Sequence, residues 1–228
     1  IVAELEQKRT AHYGPDNKAE LYEDEKKLGL AKAEENLHLF TLHRANDVEM
    51  DGSAIVAVIA QHTVTGARKR LQARLFADCT GDGCLGAMAG ADYEMTLSGH
   101  MGRCNLWNVV ETDEPQAFPR CPWALDLSDK PFPGRSKDKP NILKLGGWYW
   151  ESGFDHDPFE KNEYIRDWNF RAMYGAWDAM KNVDGVLPNH NLNWAAFVAG
   201  KRESRRLLGD VILSKEDVMT SNHYEDGC

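Results

Sequence analysis

The sequence predicts an α/β fold joined to a second α+β domain, and two observations support that prediction. Residues 75–93 have the pattern of a short buried strand, a glycine-rich turn and a helix of small residues. From Glu94 onward aromatic residues and prolines become frequent, which indicates a change of domain. The expected organisation is one domain over residues 1–93, a second over residues 94–200 and a return segment over residues 201–228.

The composition excludes several classes of protein. The 228 residues are 42% hydrophobic and 28% charged, as in a globular soluble chain. The net charge of −9 argues against a nucleic-acid or anionic membrane partner. No apolar run approaches the roughly 20 residues that span a bilayer. Five cysteines at scattered positions favour a reducing compartment over a disulfide framework, so a cytoplasmic location is expected.

The first elements in chain order are a helix and an antiparallel sheet. An Asp-Asn pair can cap a helix over residues 16–35. Residues 37–42 alternate as a strand, and the apolar residues 55–60 predict another. The Asp-Gly pair at 51–52 is a strong hairpin signal between these strands, and the Thr-Gly pair at 65–66 predicts a second turn.

The central strand and turn come next. Phe76 and Ala77 end an apolar run that predicts a strand of a sheet covered on both faces. The turn at residues 80–83 has two glycines, which adopt backbone angles closed to other residues. A strand that leads into a helix through such a turn can present N–H groups to a phosphate-bearing ligand. An ordinary connection without a ligand explains the turn by itself equally well.

The string Asp-Cys-Thr-Gly-Asp-Gly at residues 78–83, followed by Leu-Gly and Ala-Gly-Ala, resembles a known motif. It is similar to the second flavin-contacting motif of bacterial FAD-dependent oxidoreductases, distant relatives of the fumarate reductase and glutathione reductase flavoproteins. The resemblance implies FAD as cofactor and a partial FAD/NAD(P)-binding Rossmann-like domain over residues 1–93, with a parallel sheet and a small antiparallel one. It also implies a substrate domain over residues 94–200 and a segment over residues 201–228 that returns toward the FAD-binding domain. The cofactor-binding residues that it implies are the backbone of Ala45 at the adenine end and Thr80, Gly81, Asp82 and Gly83 beside the dinucleotide.

The second domain has three marked features. Residues 160–180 carry aromatic and apolar side chains at helical spacing, which predicts an amphipathic helix facing the core. The Gly-Gly-Trp-Tyr-Trp string at 146–150 fits either core aromatics or a platform for substrate. Asp155, His156 and Asp157 are metal-ligand types, but neighbours along a chain point in different directions, so no metal site is expected.

The return segment carries three arginines in five positions, between residues 202 and 206. Guanidinium groups can hold a carboxylate or orient a flavin edge, whereas the alternative is a helix whose arginines pair with nearby acids. The string Arg-Glu-Ser-Arg-Arg-Leu-Leu-Gly-Asp resembles the return segment of the same flavoprotein group. The string Trp-Glu-Ser-Gly at 150–153 also resembles the sequences of that group. The resemblance implies catalytic roles, orienting or protonating the substrate, for Arg202, Glu203 and Arg205.

Two features depart from the family's pattern. Cys84 stands where the group more often has an acidic or small residue, and with Cys79 it forms a Cys-x4-Cys pair. A redox disulfide is not expected there, because in disulfide reductases that pair follows the first nucleotide-binding fingerprint. The sequence has no Gly-x-Gly-x-x-Gly string after a first strand and begins without Met, so we expect an internal fragment that is inactive by itself.

Two functions follow. The first is an FAD-dependent oxidoreductase that transfers a hydride between the flavin and a small organic substrate. The alternative is a non-catalytic carbohydrate-binding module that stacks sugars on Trp148, Tyr149 and Trp150. The strand–turn–helix favours the first, because a sugar-binding sandwich shows many short strands and no such helix. The expected partner is a small molecule, and assembly into a homo-oligomer is left open.

Overall fold

The structure is a computed structural model that describes residues 22–224. Within that range the chain divides into two compact units. The described part of the first unit comprises residues 22–39 and 97–203, and that of the second comprises residues 40–96 and 204–224. The roles predicted from the sequence for residues 1–93, 94–200 and 201–228 stay predictions.

The second unit contains a three-stranded antiparallel sheet in the order β1–β2–β3. The strands are β1 (His43–Asp51), β2 (Ala54–His62) and β3 (Arg68–Leu71). Gly52 and Gly66 have positive φ angles of 58° and 74°, so the two predicted hairpin turns are confirmed. The predicted strand over residues 37–42 is wrong, because these residues pair with no strand and their large apolar side chains are exposed.

The predicted central strand is also wrong. Residues 75–77 form no strand, and the Leu75 side chain is 89% exposed. A parallel strand needs neighbours that cover both of its faces, and every strand pair within residues 22–224 is antiparallel. The parallel sheet of the predicted Rossmann-like domain is therefore not found in the described residues.

The helix predicted after the glycine-rich turn is confirmed as α2 (Cys84–Met88). It is followed by β4 (Tyr93–Glu94), which pairs antiparallel with β9 (Arg206–Leu207) from the return segment. The last helix of the second unit is α5 (Lys215–Thr220), which begins at a capping box formed by Ser214 and Asp217.

The described part of the first unit, residues 22–39 and 97–203, combines four helical segments with two pairs of short strands. Its strands pair antiparallel, β5 with β7 and β6 with β8. The elements in chain order are α1 (Asp24–Ala33), β5 (Arg103–Cys104), β6 (Trp107–Glu111), α3 (Ile142–Leu145), β7 (Glu151–Ser152), α4 (Asn162–Asp178), a π-helical turn (Ala179–Val183) and β8 (His190–Ala195). The start of the helix predicted over residues 16–35 lies outside the described residues.

The core of the first unit is built from tryptophans. Trp107 meets Trp150 and Trp177 edge to face, with ring centroids 5.5 and 6.3 Å apart. Met173 and Met180 fill the same cluster, which confirms that the predicted helix over residues 160–180 faces the core. Such aromatic contacts add to the free energy gained from burying large apolar surfaces. Among the described residues, no helix is both long enough and apolar enough to cross a membrane.

Candidate functional site

The turn at residues 80–83, together with Asp78, forms a bend that we call the glycine bend. Gly81 and Gly83 have φ angles of 79° and 58°, which glycine adopts without the steric cost of a Cβ atom. Gly83 is the N-cap of α2, so the bend ends where the helix begins. The backbone geometry predicted for the two glycines is therefore confirmed.

Two side chains of the glycine bend bind the first turn of α2. Asp78 accepts hydrogen bonds from the Thr80 amide (2.9 Å), the Thr80 hydroxyl (2.7 Å) and the Gly86 amide (2.9 Å). The Thr80 hydroxyl accepts a bond of 2.9 Å from the Cys84 amide. The amides of Cys84 and Gly86 are thus bound by side chains of the chain itself, so the expectation of N–H groups bared toward a phosphate does not hold for them.

These hydrogen bonds decide the charge of Asp78. Burial raises the pKa of its carboxyl group, whereas the bonds from Thr80 and from the amides of Gly86 and Leu85 lower it. The hydrogen bonds outweigh burial, and the pKa lies below its usual value. Asp78 therefore stays ionised as it caps α2. This role was not predicted, although an Asp-x-Thr string before a helix is a recognised capping signal.

The return segment meets the glycine bend. The buried Ser204 hydroxyl donates a hydrogen bond of 2.8 Å to Asp82 Oδ1. Nε of Arg205 donates to the Asp82 carbonyl oxygen at 3.1 Å, and its guanidinium lies 5.7 Å from the centre of the Tyr93 ring. No role was predicted for Ser204, which stands between two charged residues of the string that resembles the return segment of the flavoprotein group. Asp82 thus anchors residues that are 122 and 123 positions away in the chain.

Leu207 uses the space left by two glycines. A Cβ atom added at Gly83 would lie 3.0 Å from Leu207 Cγ, and one added at Gly86 would lie 2.5 Å from Leu207 Cδ1. The missing side chains at these positions therefore make room for the protein's own packing. A Cβ atom at Gly81 would meet no described atom within 4 Å. Of the glycines predicted to contact a cofactor, Gly81 faces open space and Gly83 is covered.

An open cleft of about 440 Å³ lies beside α2 in the second unit. It contains two of the predicted site residues, Ala45 on β1 and Arg205 on the return segment, whereas the four residues of the turn do not line it. The residues that line the cleft are Arg44, Ala45, Asn46, Cys84, Met88 and Arg205. Arg205 connects this cleft to the glycine bend, because it also bonds Asp82.

The cysteines at the glycine bend are free thiols. Cys79 is exposed and Cys84 is partly buried, and Nη2 of Arg205 lies 3.7 Å from Cys84 Sγ. Cys84 therefore belongs to the wall of the cleft.

The other two predicted catalytic residues belong to the first unit. Nη2 of Arg202 donates to Met101 Sδ at 3.3 Å, and Glu203 Oε2 accepts a bond of 3.4 Å from the Met101 amide. The division between the units falls between Glu203 and Ser204. The three predicted catalytic residues are thus split, with Arg202 and Glu203 in one unit and Arg205 in the other.

The predicted three-ring platform does not form. Trp150 is buried and donates its indole N–H to the Leu145 carbonyl oxygen at 2.6 Å. Trp148 and Tyr149 are about half exposed and stack on each other with centroids 5.0 Å apart. The string therefore divides between core and surface, and the structure does not support stacking of a sugar on all three rings.

The acidic residues at 155–157 hold local backbone. Asp155 Oδ1 accepts bonds from the Ser98 hydroxyl (2.7 Å) and the Gly99 amide (2.9 Å). Asp157 Oδ1 accepts bonds from the amides of Phe159 and Glu160. No group of three or more potential metal ligands comes together within residues 22–224.

Comparison with known proteins identifies a family over a range that includes residues of both units. The family model described as FAD dependent oxidoreductase matches residues 3–119, just over half of the chain. The match includes β1, the glycine bend and α2, and it ends before the return segment. No curated protein and no solved structure matches the chain.

Proposed function

Because the chain belongs to the FAD-dependent oxidoreductase family, whose cofactor is FAD, we propose that it transfers a hydride between FAD and a small organic substrate. We further propose that the cleft beside α2 holds part of the FAD. The observation that carries this second proposal is that Ala45 and Arg205, far apart in the chain, line one cleft within the same unit as the glycine bend.

The residues of the cleft fit a dinucleotide. Arg205 supplies a cation for an anionic ligand, and guanidinium groups bind phosphate oxygens through paired N–H donors. The small side chain of Ala45 leaves room for a flat ring on its side of the cleft. Gly81 does not line the cleft, but it adds a surface without a Cβ atom in the same unit, where a ligand can approach the backbone closely.

The roles of the chain's residues follow from these contacts. Arg205 orients the anionic part of the cofactor, and Asp82 and Ser204 hold the return segment so that Arg205 stays in the cleft. When bound, FAD supplies the two-electron redox chemistry. Arg202 and Glu203 orient the substrate or hold a proton at the reacting centre, as the resemblance of their string implies.

FAD binding by the full chain tests the assignment of the cleft. We expect that Arg205→Gln weakens FAD binding about 10- to 100-fold, since a charged hydrogen bond contributes about 1.5 to 3 kcal/mol. Arg206→Gln is the matched control, because Arg206 lies next in the chain, outside the cleft, and 3.8 Å from Glu94. Quenching of flavin fluorescence on titration measures both affinities, and circular dichroism checks that both variants are folded.

Two results would contradict the proposal. Equal FAD affinities for the two variants would exclude Arg205 as a cofactor contact. Hydride transfer is followed anaerobically by flavin absorbance in the full-length protein loaded with FAD. If none of a panel of small alcohols, amines and organic acids changed the redox state of the flavin, hydride transfer would be contradicted.

A further inference from the structure

A second cavity, of about 430 Å³, lies entirely within the first unit. One wall comes from β5 and the residues that follow it, and the other comes from the chain after β8. The residues that line the cavity are Cys104, Leu106, Trp148, Ala196, Val198, Gly200, Lys201 and Arg202. Most of them are apolar, and the two cations stand together at the end of one wall.

The two walls are held together by main-chain hydrogen bonds. The Ala196 amide donates to the Leu106 carbonyl oxygen at 2.7 Å, and the Gly200 amide donates to the Cys104 carbonyl oxygen at 2.6 Å. Between them, the fully buried Asn105 side chain donates to the Ala196 carbonyl oxygen at 2.7 Å. The cavity is therefore formed before any ligand arrives, which reduces the ordering cost of binding.

The apolar part of the cavity suits a flat ring. Trp148 is 49% exposed, although a large aromatic side chain normally gains free energy from burial. Leu106 and Val198 provide further apolar surface. A planar apolar group in the cavity would cover these side chains and stack on the indole.

Arg202 provides the charge. Its side chain is partly buried and donates to Met101 Sδ, and within residues 22–224 no carboxylate lies within ion-pair distance of it. A partly desolvated cation that faces only a weak sulfur acceptor is an unfavourable arrangement unless an anion joins it.

The thiol on the opposite wall does not supply that anion. Burial raises the pKa of Cys104, the charge of Glu151 raises it further, and the charge of Arg202 lowers it. The net result is a raised pKa, so Cys104 is a neutral thiol at pH 7. The charge of Arg202 thus reaches the cavity wall, where the Cys104 thiol is not its counterion.

We propose that this cavity binds a small organic carboxylate with a flat apolar body, whose carboxylate pairs with Arg202 and whose ring packs on Trp148. The role of this carboxylate as the substrate of the oxidoreductase rests on the proposed function. The existence of the binding site rests on the cavity alone.

Benzoate is the probe, and benzamide is its neutral counterpart of the same shape. We expect the FAD-loaded full chain to bind benzoate at least about 10-fold more tightly than benzamide, because only benzoate forms a charged hydrogen bond with Arg202. Calorimetric titration measures both affinities, and quenching of tryptophan fluorescence follows the stacking on Trp148. Equal affinities for the two probes, or no binding of benzoate, would overturn the proposal.

Three variants separate the charge from the fold. Arg202→Gln is expected to weaken benzoate binding at least about 10-fold, and Arg202→Lys to restore part of it. Arg171→Gln is the matched control, since Arg171 lies on α4, lines no part of the cavity and donates to the Trp123 carbonyl oxygen. The melting temperature of each variant verifies folding. Unchanged benzoate affinity in a folded Arg202→Gln variant would contradict the proposal.

FAD also combines anionic groups with a flat ring, so the experiment compares the chain with and without FAD. We expect equal benzoate affinity in both states and no displacement of benzoate by inorganic phosphate. Displacement of benzoate by FAD would assign the cavity to the cofactor and overturn the inference. FAD binding without benzoate binding would refute this inference and leave the proposed function intact, whereas benzoate binding without FAD binding would refute the proposed function and the substrate role.

Discussion

The tryptophan core of the first unit and the glycine bend of the second unit are stabilised by different forces. In the core, Trp107 packs against Trp150 and Trp177, and this packing keeps water from the rings. Trp177 is 0% exposed. In the glycine bend, Asp78 accepts hydrogen bonds from the Thr80 and Gly86 amides, and Asp82 accepts one from the Ser204 hydroxyl. Apolar burial depends on volume and area, whereas each of these hydrogen bonds depends on a single atom.

This difference shows why a site forms at one place and a core at the other. A packed core leaves no room for a ligand, because every side chain in it contacts others. A bend held by a few directional bonds keeps its shape beside an open cleft, and Arg205 can extend from it into that cleft.

The largest effect is expected in the core. Trp177→Ala should lower the free energy of unfolding by about 3 to 5 kcal/mol, because it removes a fully buried ring and leaves a void. Trp168→Ala is the matched control on the same helix, since Trp168 is 37% exposed. Urea denaturation followed by circular dichroism measures both. Equal losses for the two variants would contradict the assignment of the core.

A glycine substitution in each unit should give the next largest difference. A Cβ atom at Gly175 would collide with the Leu125 carbonyl oxygen, which is main chain, whereas one at Gly86 would meet the movable end of the Leu207 side chain. Gly175→Ala should therefore cost about 1 to 3 kcal/mol, despite the better helix propensity of Ala. Gly86→Ala should cost less, as denaturant midpoints would show. The reverse order would mean that Leu207 cannot move.

The pH dependence of stability tests the glycine bend. The pKa of Asp78 is lowered in the folded chain, so the stability it provides is present above its unfolded pKa of about 3.9 and is lost as the pH falls through the folded pKa. Wild type should exceed Asp78→Asn in stability at neutral pH, and the difference should shrink below about pH 4. Denaturation at several pH values measures this difference. A difference that does not change with pH would refute the capping role of the carboxylate.

The smallest effect is expected at the surface of the three-stranded sheet. Arg70 binds both carboxylate oxygens of Glu49 at 2.7 to 2.9 Å, with both side chains exposed to water. Solvent screens such pairs, and holding two long side chains costs entropy. Glu49→Gln should therefore leave the melting temperature unchanged within its reproducibility, at low and at high salt. A clear loss of stability would show that geometry matters more than exposure at this pair.

Local structure was predictable from the sequence where residues close together in the chain decide it. The Asp-Gly and Thr-Gly pairs predicted two hairpin turns, because their backbone preferences act within a few residues. The spacing of apolar residues predicted α4 and its buried face. The strand predicted at residues 75–77 failed, since an apolar run forms a strand only where a partner strand supplies hydrogen bonds.

The aromatic string at residues 148–150 shows most clearly what could not be predicted from the sequence. Its three rings are chemically similar, and yet Trp150 is buried in the core while Trp148 stands at the wall of a cavity. Their neighbours in space, which the sequence does not specify locally, decide between these places. The same holds for Ser204, whose hydroxyl gains a role only because Asp82 lies 2.8 Å away.

By itself, the sequence determined the family, the flavin cofactor, the turns at the glycines and the long amphipathic helix. Each of these depends on residue types in a short stretch of chain, where backbone preference and the period of apolar residues act directly. Tertiary structure alone decided that Arg205 reaches the cleft of Ala45, that Arg202 stands in a cavity of the first unit, and that Leu207 packs against two glycines. The physical reason is that contacts between distant residues form only when the whole chain folds, and no local preference encodes them.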